Sequence, residues 1–293
     1  MKKLFFGEPW RDEHHLRPTL GACLMSEFFC TTFFVFLGTS YNAVDILTGG
    51  TFGPAVPIAW GLCLIFTVQL GFRISGSHVN PAVSLFFFVF RELSFQRFLL
   101  YSVAQTSGAF IGAGLTYAVY YDYIDHYEHG DRTVTGATRT AHIFATYPQD
   151  YLTVRGGLVD QISTTAMLCI CIRCITKRRH GIPLWFQPFL LGLSLSVLAV
   201  AFATNCQCAI NPARDLGPRL FTLCVGYGWD VFSYWNYKWF WVPIIGPCIG
   251  AIMGGLLYKY FIGNFLSDLP EDKENPKNVE NYENALDAFP ERH

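Results

Sequence analysis

GSHVNPAVS (residues 76–84) and CQCAINPARDLGPRLF (residues 206–221) decide how this chain folds. Each contains Asn-Pro-Ala, as Asn80, Pro81 and Ala82 and again as Asn211, Pro212 and Ala213. Asparagine before proline is good helix-start chemistry. The Asn side chain caps free backbone N–H groups, and the Pro stands where its missing N–H costs nothing. Each triplet opens a short apolar run, residues 81–90 and 212–225. Neither run reaches the about 20 residues that a bilayer span needs. Both are expected to be half-helices that enter a membrane and stop.

Six longer apolar stretches surround them, at about 20–41, 55–73, 98–120, 157–175, 184–204 and 239–262. Each has, or nearly has, the length of a bilayer-spanning helix. Composition agrees: of 293 residues 52% are hydrophobic, 17% aromatic and only 15% charged. The 22 acidic residues nearly balance the 21 basic ones, so neither a bulk-basic nucleic-acid protein nor an acidic disordered chain fits. Residues 1–19 hold seven charged side chains and no apolar run, so they read as an uncleaved cytoplasmic segment. The ten cysteines lie mostly inside apolar stretches and read as small hydrophobes. Cys171 and Cys174 have CxxC spacing but lack the second pair that a zinc site would need. No cofactor or metal is expected.

One Asn-Pro-Ala run lies between the second and third stretches, the other between the fifth and sixth. Three spans per repeat force the two repeats into opposite orientations, the inverted plan of transport proteins. Glu27 in the first span and Gln161 in the fourth precede Asn80 and Asn211 at similar distances, as a repeat requires. The expected fold is an all-α membrane protein with six spans and two re-entrant half-helices. Its parts are residues 20–120 as first repeat, 121–155 as extracellular loop, 156–262 as second repeat, and 263–293 as a disordered acidic tail. Lys and Arg collect on the segments that this arrangement places in the cytoplasm, which puts both termini there.

In such a fold the half-helices meet N-terminus to N-terminus at the membrane midplane. Irregular backbone is tolerated at that depth only where it is buried in protein or lines a wet cavity. The backbones of Ser77, His78 and Val79, and of Cys206, Gln207, Cys208, Ala209 and Ile210, are expected to line that cavity. Two helix N-termini place partial positive charge at the centre, and the Asn80 and Asn211 amides add donors. This is hostile to cations and protons and suits a neutral molecule that accepts hydrogen bonds. Arg214 is a charge within the membrane, and such charges mark functional sites by default; the bland alternative is an Arg that snorkels to the interface. Glu27 and Gln161 are expected to brace the loops, since an unpaired carboxylate there is expensive. The His78 ring reads as packing, with titration near neutral pH as the sharper alternative.

With SEFFCTTFFVFLG (residues 26–38), GSHVNPAVS and NPARDLGPRLF, the chain resembles the aquaporin or major intrinsic protein family, specifically its aquaglyceroporin branch. The resemblance runs from about residue 20 to 262. It implies a homotetramer in a cell membrane, with one pore per protomer for glycerol, water and other small neutral solutes. It places Asp215, Arg219, Pro243 and Ile244 among the branch's marking residues. Read locally, Asp215 and Arg219 could instead pair across one helical turn. It assigns Trp60, Ala199, Cys208 and Arg214 to the outer constriction. Many glycerol channels have Phe or Tyr where this chain has Cys208, which implies a wider opening that admits urea or larger polyols. The family usually has a second Glu where this chain has Gln161.

A water-selective channel remains the alternative. An ion-coupled carrier should place ionisable groups at the midplane, where this chain has asparagines. No catalytic triad, metal cluster or phosphate loop is placed for an enzyme. Small residues at four-residue spacing, Gly108 and Gly112, then Gly246, Gly250 and Gly254, predict close helix contacts.

Overall fold

The computed structural model describes residues 18–267 and residue 269, and they contain helices and no strand. The expectations for residues 1–17 and for the acidic tail beyond Leu269 lie outside the described residues. In chain order the helices are α1 (Leu20–Leu47), α2 (Ala55–Gly71), α3 (Pro81–Val89), α4 (Phe95–Glu128), α5 (Ala141–Phe144), α6 (Val154–Thr176), α7 (Gln187–Cys206), α8 (Pro212–Cys224), α9 (Asp230–Tyr237) and α10 (Val242–Tyr258). Helices α1, α4, α6, α7 and α10 belong to segments long and apolar enough to cross a bilayer. The sixth span, α2, is a 17-residue apolar helix. At a rise of 1.5 Å per residue it measures about 25 Å, close to the hydrocarbon thickness. Short α3 and α8 are the two half-helices.

Two boundaries differ most from expectation. Helix α1 runs to Leu47 rather than 41, and α4 runs to Glu128 rather than 120. The expected end of the first repeat at 120 therefore falls inside a helix. Hydropathy measures preference for lipid, whereas YDYIDHYE (residues 121–128) continues the helix beyond the apolar stretch. Its inward-facing Ile124 and Glu128 are buried. The helix stops at His129 and Gly130, both in the left-handed region (φ 56° and 88°).

The repeats pack as mirror uses of the same seams. Helix α1 lies along α4 as α6 lies along α10; α3 packs on α10, and α8 on α4. Glycine makes the long seams possible. A Cβ on Gly108 would fall 2.3 Å from the Phe28 carbonyl oxygen, and one on Gly250 would fall 2.4 Å from that of Ile162. Phe28 and Ile162 directly follow Glu27 and Gln161, so the close approach recurs at equivalent places. Helices α2 and α7 cross at Gly61 and Gly192, where each Cβ would lie 2.4–2.5 Å from the other residue's carbonyl oxygen. The outward face exposes Phe29, Phe66, Val103, Val119 and Val197. In lipid such a belt costs nothing, whereas in water it would drive association.

Candidate functional site

The half-helices α3 and α8 begin at Asn80 and Asn211, each with extended backbone. The Asn80 Oδ1 accepts from the Ala82 N–H at 2.9 Å. The Asn211 Oδ1 accepts from the N–H groups of Ala213 at 3.0 Å and Arg214 at 3.1 Å. Each side chain thus caps its own helix. Each amide nitrogen also crosses to the other repeat: Asn80 Nδ2 donates to the Ile210 carbonyl at 2.9 Å, and Asn211 Nδ2 donates to the Val79 carbonyl at 2.8 Å. A carboxamide has two N–H donors, and the crossing bond uses one.

The loops leading to these caps are strained. Ser77, Val79, Gln207, Cys208 and Ile210 all have positive φ, between 38° and 60°. That region is costly for residues with a side chain, most of all for β-branched Val79 and Ile210. Glu27 holds the first loop. Its Oε1 accepts from Ser75 Oγ at 2.7 Å and the His78 N–H at 2.9 Å. Its Oε2 accepts from the Val79 N–H and Gln105 Nε2, both at 2.8 Å.

The second loop is held differently. Gln161 Oε1 accepts from the Ile210 N–H at 2.8 Å, while its Nε2 donates to Asp160 Oδ1 and the Cys206 sulfur at 3.2 Å. Asp160, one residue earlier, supplies the carboxylate that Gln161 lacks, and it also accepts from Asn205 Nδ2 at 2.8 Å.

A continuous cavity of about 750 Å³ runs past both loops. Asp45, Gly53 and His142 line one mouth, and Glu92, Arg97 and Arg178 line the other. Its lining combines apolar side chains, among them Phe34, Val68, Val83, Leu168 and Leu195, with the loop residues Ser77, His78, Val79, Asn80, Gln207, Ala209, Ile210 and Asn211. Cys206, expected on this lining, instead lies behind it. It ends α7, is 1% exposed and turns its thiol to Asp160. The His78 ring stacks on Phe87 at 4.6 Å, and its Nδ1 pairs with Ser84 Oγ at 3.1 Å.

Trp60, Ala199, Cys208 and Arg214 all line the cavity together. The Arg214 guanidinium lies 4.5 Å from the Trp60 ring centroid, and its Nη1 donates to the Phe144 carbonyl at 2.7 Å. Trp60 is fixed by a bond from its Nε1 to Asn42 Oδ1 at 3.1 Å and by the edge of Phe34 at 5.0 Å. Asn42 Nδ2 in turn donates to the Ile143 carbonyl at 2.9 Å. The loop around α5 is tied in from the other side, where Gln207 Nε2 donates to the His142 carbonyl at 3.1 Å.

Asp215 and Arg219 are fully buried and do not line the cavity. They pair within one turn, Arg219 Nε to Asp215 Oδ1 at 3.0 Å. They do more than pair. Asp215 Oδ2 accepts from the Thr146 N–H at 2.8 Å, and Arg219 donates to the carbonyls of Thr146 and Val231. Together they pin the loop that carries Phe144 against α8. Pro243 is buried in the first turn of α10 and Ile244 is half-buried; neither lines the cavity.

Sequence reading missed several of these parts. Asn42, Gln105 and Asp160 had a signal, being polar residues within or at the end of apolar stretches. The Phe144 and Thr146 carbonyls had none, because a backbone group in a loop carries no side-chain mark.

The model of the major intrinsic protein family matches residues 17–258. Mouse aquaporin-9 is 38% identical over 277 residues, covering 91% of this chain and 94% of its own. Human aquaporin-10 is 35% identical over 263 residues, covering 89% and 87%. The X-ray structure of the aquaglyceroporin from Plasmodium falciparum superposes with a TM-score of 0.77 at 25% identity, covering 85% of this chain and 99% of that one. With two capped half-helices joined through their asparagines and a cavity running past both, this chain belongs to the major intrinsic protein family.

Proposed function

We propose that the protein is a passive channel for glycerol, water and other small neutral solutes, and that it excludes protons and ions. The observation that carries this reading is the cavity itself: its lining combines apolar side chains with loop backbone, and Asn80, Asn211 and Arg214 are side-chain donors along it. A polyol has a carbon edge and a hydroxyl edge. The carbon edge lies along Phe34, Trp60 and Leu195, and the hydroxyl oxygens accept hydrogen bonds from these donors. The names of its relatives, aquaporin-9, aquaporin-10 and an aquaglyceroporin, favour the same reading.

Each group has a part in it. Trp60, Ala199, Cys208 and Arg214 form the selectivity filter. The guanidinium carries five N–H donors, and the bond to Phe144 leaves others for a passing hydroxyl. At the centre, the second N–H of each asparagine meets the solute. The N-terminal dipoles of α3 and α8 oppose any cation there. Ser77, His78, Val79, Gln207, Ala209 and Ile210 supply the backbone track, and Glu27 and Gln161 brace it. Asp215, Arg219, Pro243 and Ile244 mark the glycerol-conducting branch, and Asp215 and Arg219 hold the loop that carries Phe144 in place from behind. The small Cys208 leaves room for urea or larger polyols.

In this reading residues 20–120 and 156–262 are the two inverted repeats, 121–155 is extracellular, and both termini are cytoplasmic. Four copies assemble in a cell membrane, each with its own pore. The test is stopped-flow light scattering on proteoliposomes. Glycerol and water should both equilibrate faster than in empty vesicles, with a low activation energy. Fast water without glycerol would overturn the glycerol part, and flux of neither would overturn the channel.

A further inference from the structure

A second buried guanidinium, that of Arg173, also lines the cavity. Arg173 stands in the last turn of α6 and is 7% exposed, against 4% for Arg214. Both guanidinium groups rest on an aromatic ring. Arg173 Cζ lies 4.8 Å from the Phe86 ring centroid, as Arg214 Cζ lies 4.5 Å from that of Trp60. Both are tied through a single nitrogen. For Arg214 the anchor is the Phe144 carbonyl; for Arg173 it is Glu92, whose two carboxylate oxygens accept from Nη1 at 2.7 and 2.8 Å.

Those two bonds use the N–H groups of Nη1. A guanidinium has five N–H donors, and among the described residues none accepts from the Nε or Nη2 of Arg173. A buried donor left without an acceptor is expensive, and more so on a charged group. The cavity is where an acceptor can stand.

Glu92 completes the place. It lines the mouth of the cavity just beyond α3, and its own N–H donates to the Phe87 carbonyl at 2.7 Å, which fixes the backbone that carries the carboxylate. Each carboxylate oxygen takes one bond from Arg173 and keeps a further lone pair. Phe87, whose ring centroid lies 6.0 Å from the guanidinium, also lines the cavity and supplies apolar surface.

We propose that Arg173 and Glu92 form a second solute station in the pore, one that takes the vicinal hydroxyls of a polyol. The hydroxyl oxygens accept from Nε and Nη2, a hydroxyl hydrogen is donated to Glu92, and the carbon edge lies on Phe87. The inference deepens the channel reading and rests on it. The pair carries no net charge, so it reads hydroxyl pattern rather than holding an anion. The fixed fork of the guanidinium suits two adjacent oxygens.

The test compares full-length native, Arg173→Met and Arg173→Lys chains in proteoliposomes, with the rates of empty vesicles subtracted. Met keeps the length and loses every donor; Lys keeps a charge for Glu92 and loses the fork. The solutes are water, glycerol and 1,3-propanediol, which has three carbons like glycerol but no vicinal hydroxyls. Arg173→Met should lower the ratio of glycerol to 1,3-propanediol permeability by about threefold or more, the size of one hydrogen bond, and Arg173→Lys should lower it less. An arginine that only clamps α6 to α3 would change width and stability, and so would move all solutes together. Equal loss for all three solutes, or an unchanged ratio, would therefore overturn the station. A rise in glycerol permeability would overturn it as well, because it would make Arg173 an obstruction. If Arg173→Met does not fold, Arg173→Lys decides alone. Absence of glycerol flux from the native chain would overturn the channel reading and the station with it; native glycerol flux with an unchanged ratio in the variants would overturn the station alone.

Discussion

Gly38 stands so close behind Trp60 that a Cβ there would fall 2.3 Å from the indole carbons. No side chain fits unless the ring moves, and the direction open to it is the cavity. Gly38→Val is expected to cut glycerol permeability severalfold and water permeability less, measured by vesicle swelling. Overpacking of this kind also costs about 1–3 kcal/mol of stability. Cys208 also lines the cavity and tests the proposed filter. Cys208→Phe should slow bulky solutes more than water; equal slowing would argue that the residue does not set the width.

The braces of the two loops differ, and the difference is measurable. Glu27 accepts four hydrogen bonds with two oxygens, from Ser75, His78, Val79 and Gln105. Glu27→Gln replaces one acceptor with a donor facing donors, and each lost charge-assisted bond is worth about 1.5–3 kcal/mol. The melting temperature in detergent should fall by several degrees. Gln161→Glu should also destabilise, for another reason: it sets a carboxylate against Asp160 Oδ1, now 3.2 Å from the Gln161 amide nitrogen. Combining Gln161→Glu with Asp160→Asn should recover most of that loss. The loop around α5 adds a pH dependence. Burial, with the charge of Arg139, pushes His142 down to about 4. Between about pH 6.5 and that value, the unfolded chain takes up a proton that the folded chain refuses. Stability is therefore full above pH 6.5, falls as pH drops through this window and levels off below it. The fall is at most roughly 3 kcal/mol. Thermal unfolding from pH 7.5 to 4 should show it, and His142→Asn should flatten the curve.

Across the whole molecule, the seams α1–α4 and α6–α10 hold the repeats together, and they depend on backbone approach rather than on large side chains. Lipid offers no hydrophobic drive between helices, so packing and interhelical contacts carry the association. Gly250→Leu places its Cβ 2.4 Å from the Ile162 carbonyl oxygen. It should separate α10 from α6, strip support from α3, which also packs on α10, and lower the yield of monodisperse protein in size-exclusion chromatography. Gly21, in the first turn of α1 with only the Thr19 hydroxyl within 4 Å, is the control. Gly21→Ala should leave the yield unchanged.

The sequence by itself determined the six spans, the two short helices and their inverted arrangement, because these follow from apolar length and local capping chemistry. Glu27 and Arg214 stood out for a similar reason, as charges that lipid would not tolerate alone. Helix ends were less legible: α4 outruns its apolar stretch to Glu128 because a helix does not need lipid to continue. What only the tertiary structure decided is which groups meet. Asn80 reaches the Ile210 carbonyl and Asn211 the Val79 carbonyl across more than a hundred residues. Arg214 is aimed by the carbonyl of Phe144, and Cys206 faces Asp160 rather than the cavity. These contacts join distant segments, often through backbone groups that every residue carries, so no local pattern distinguishes them.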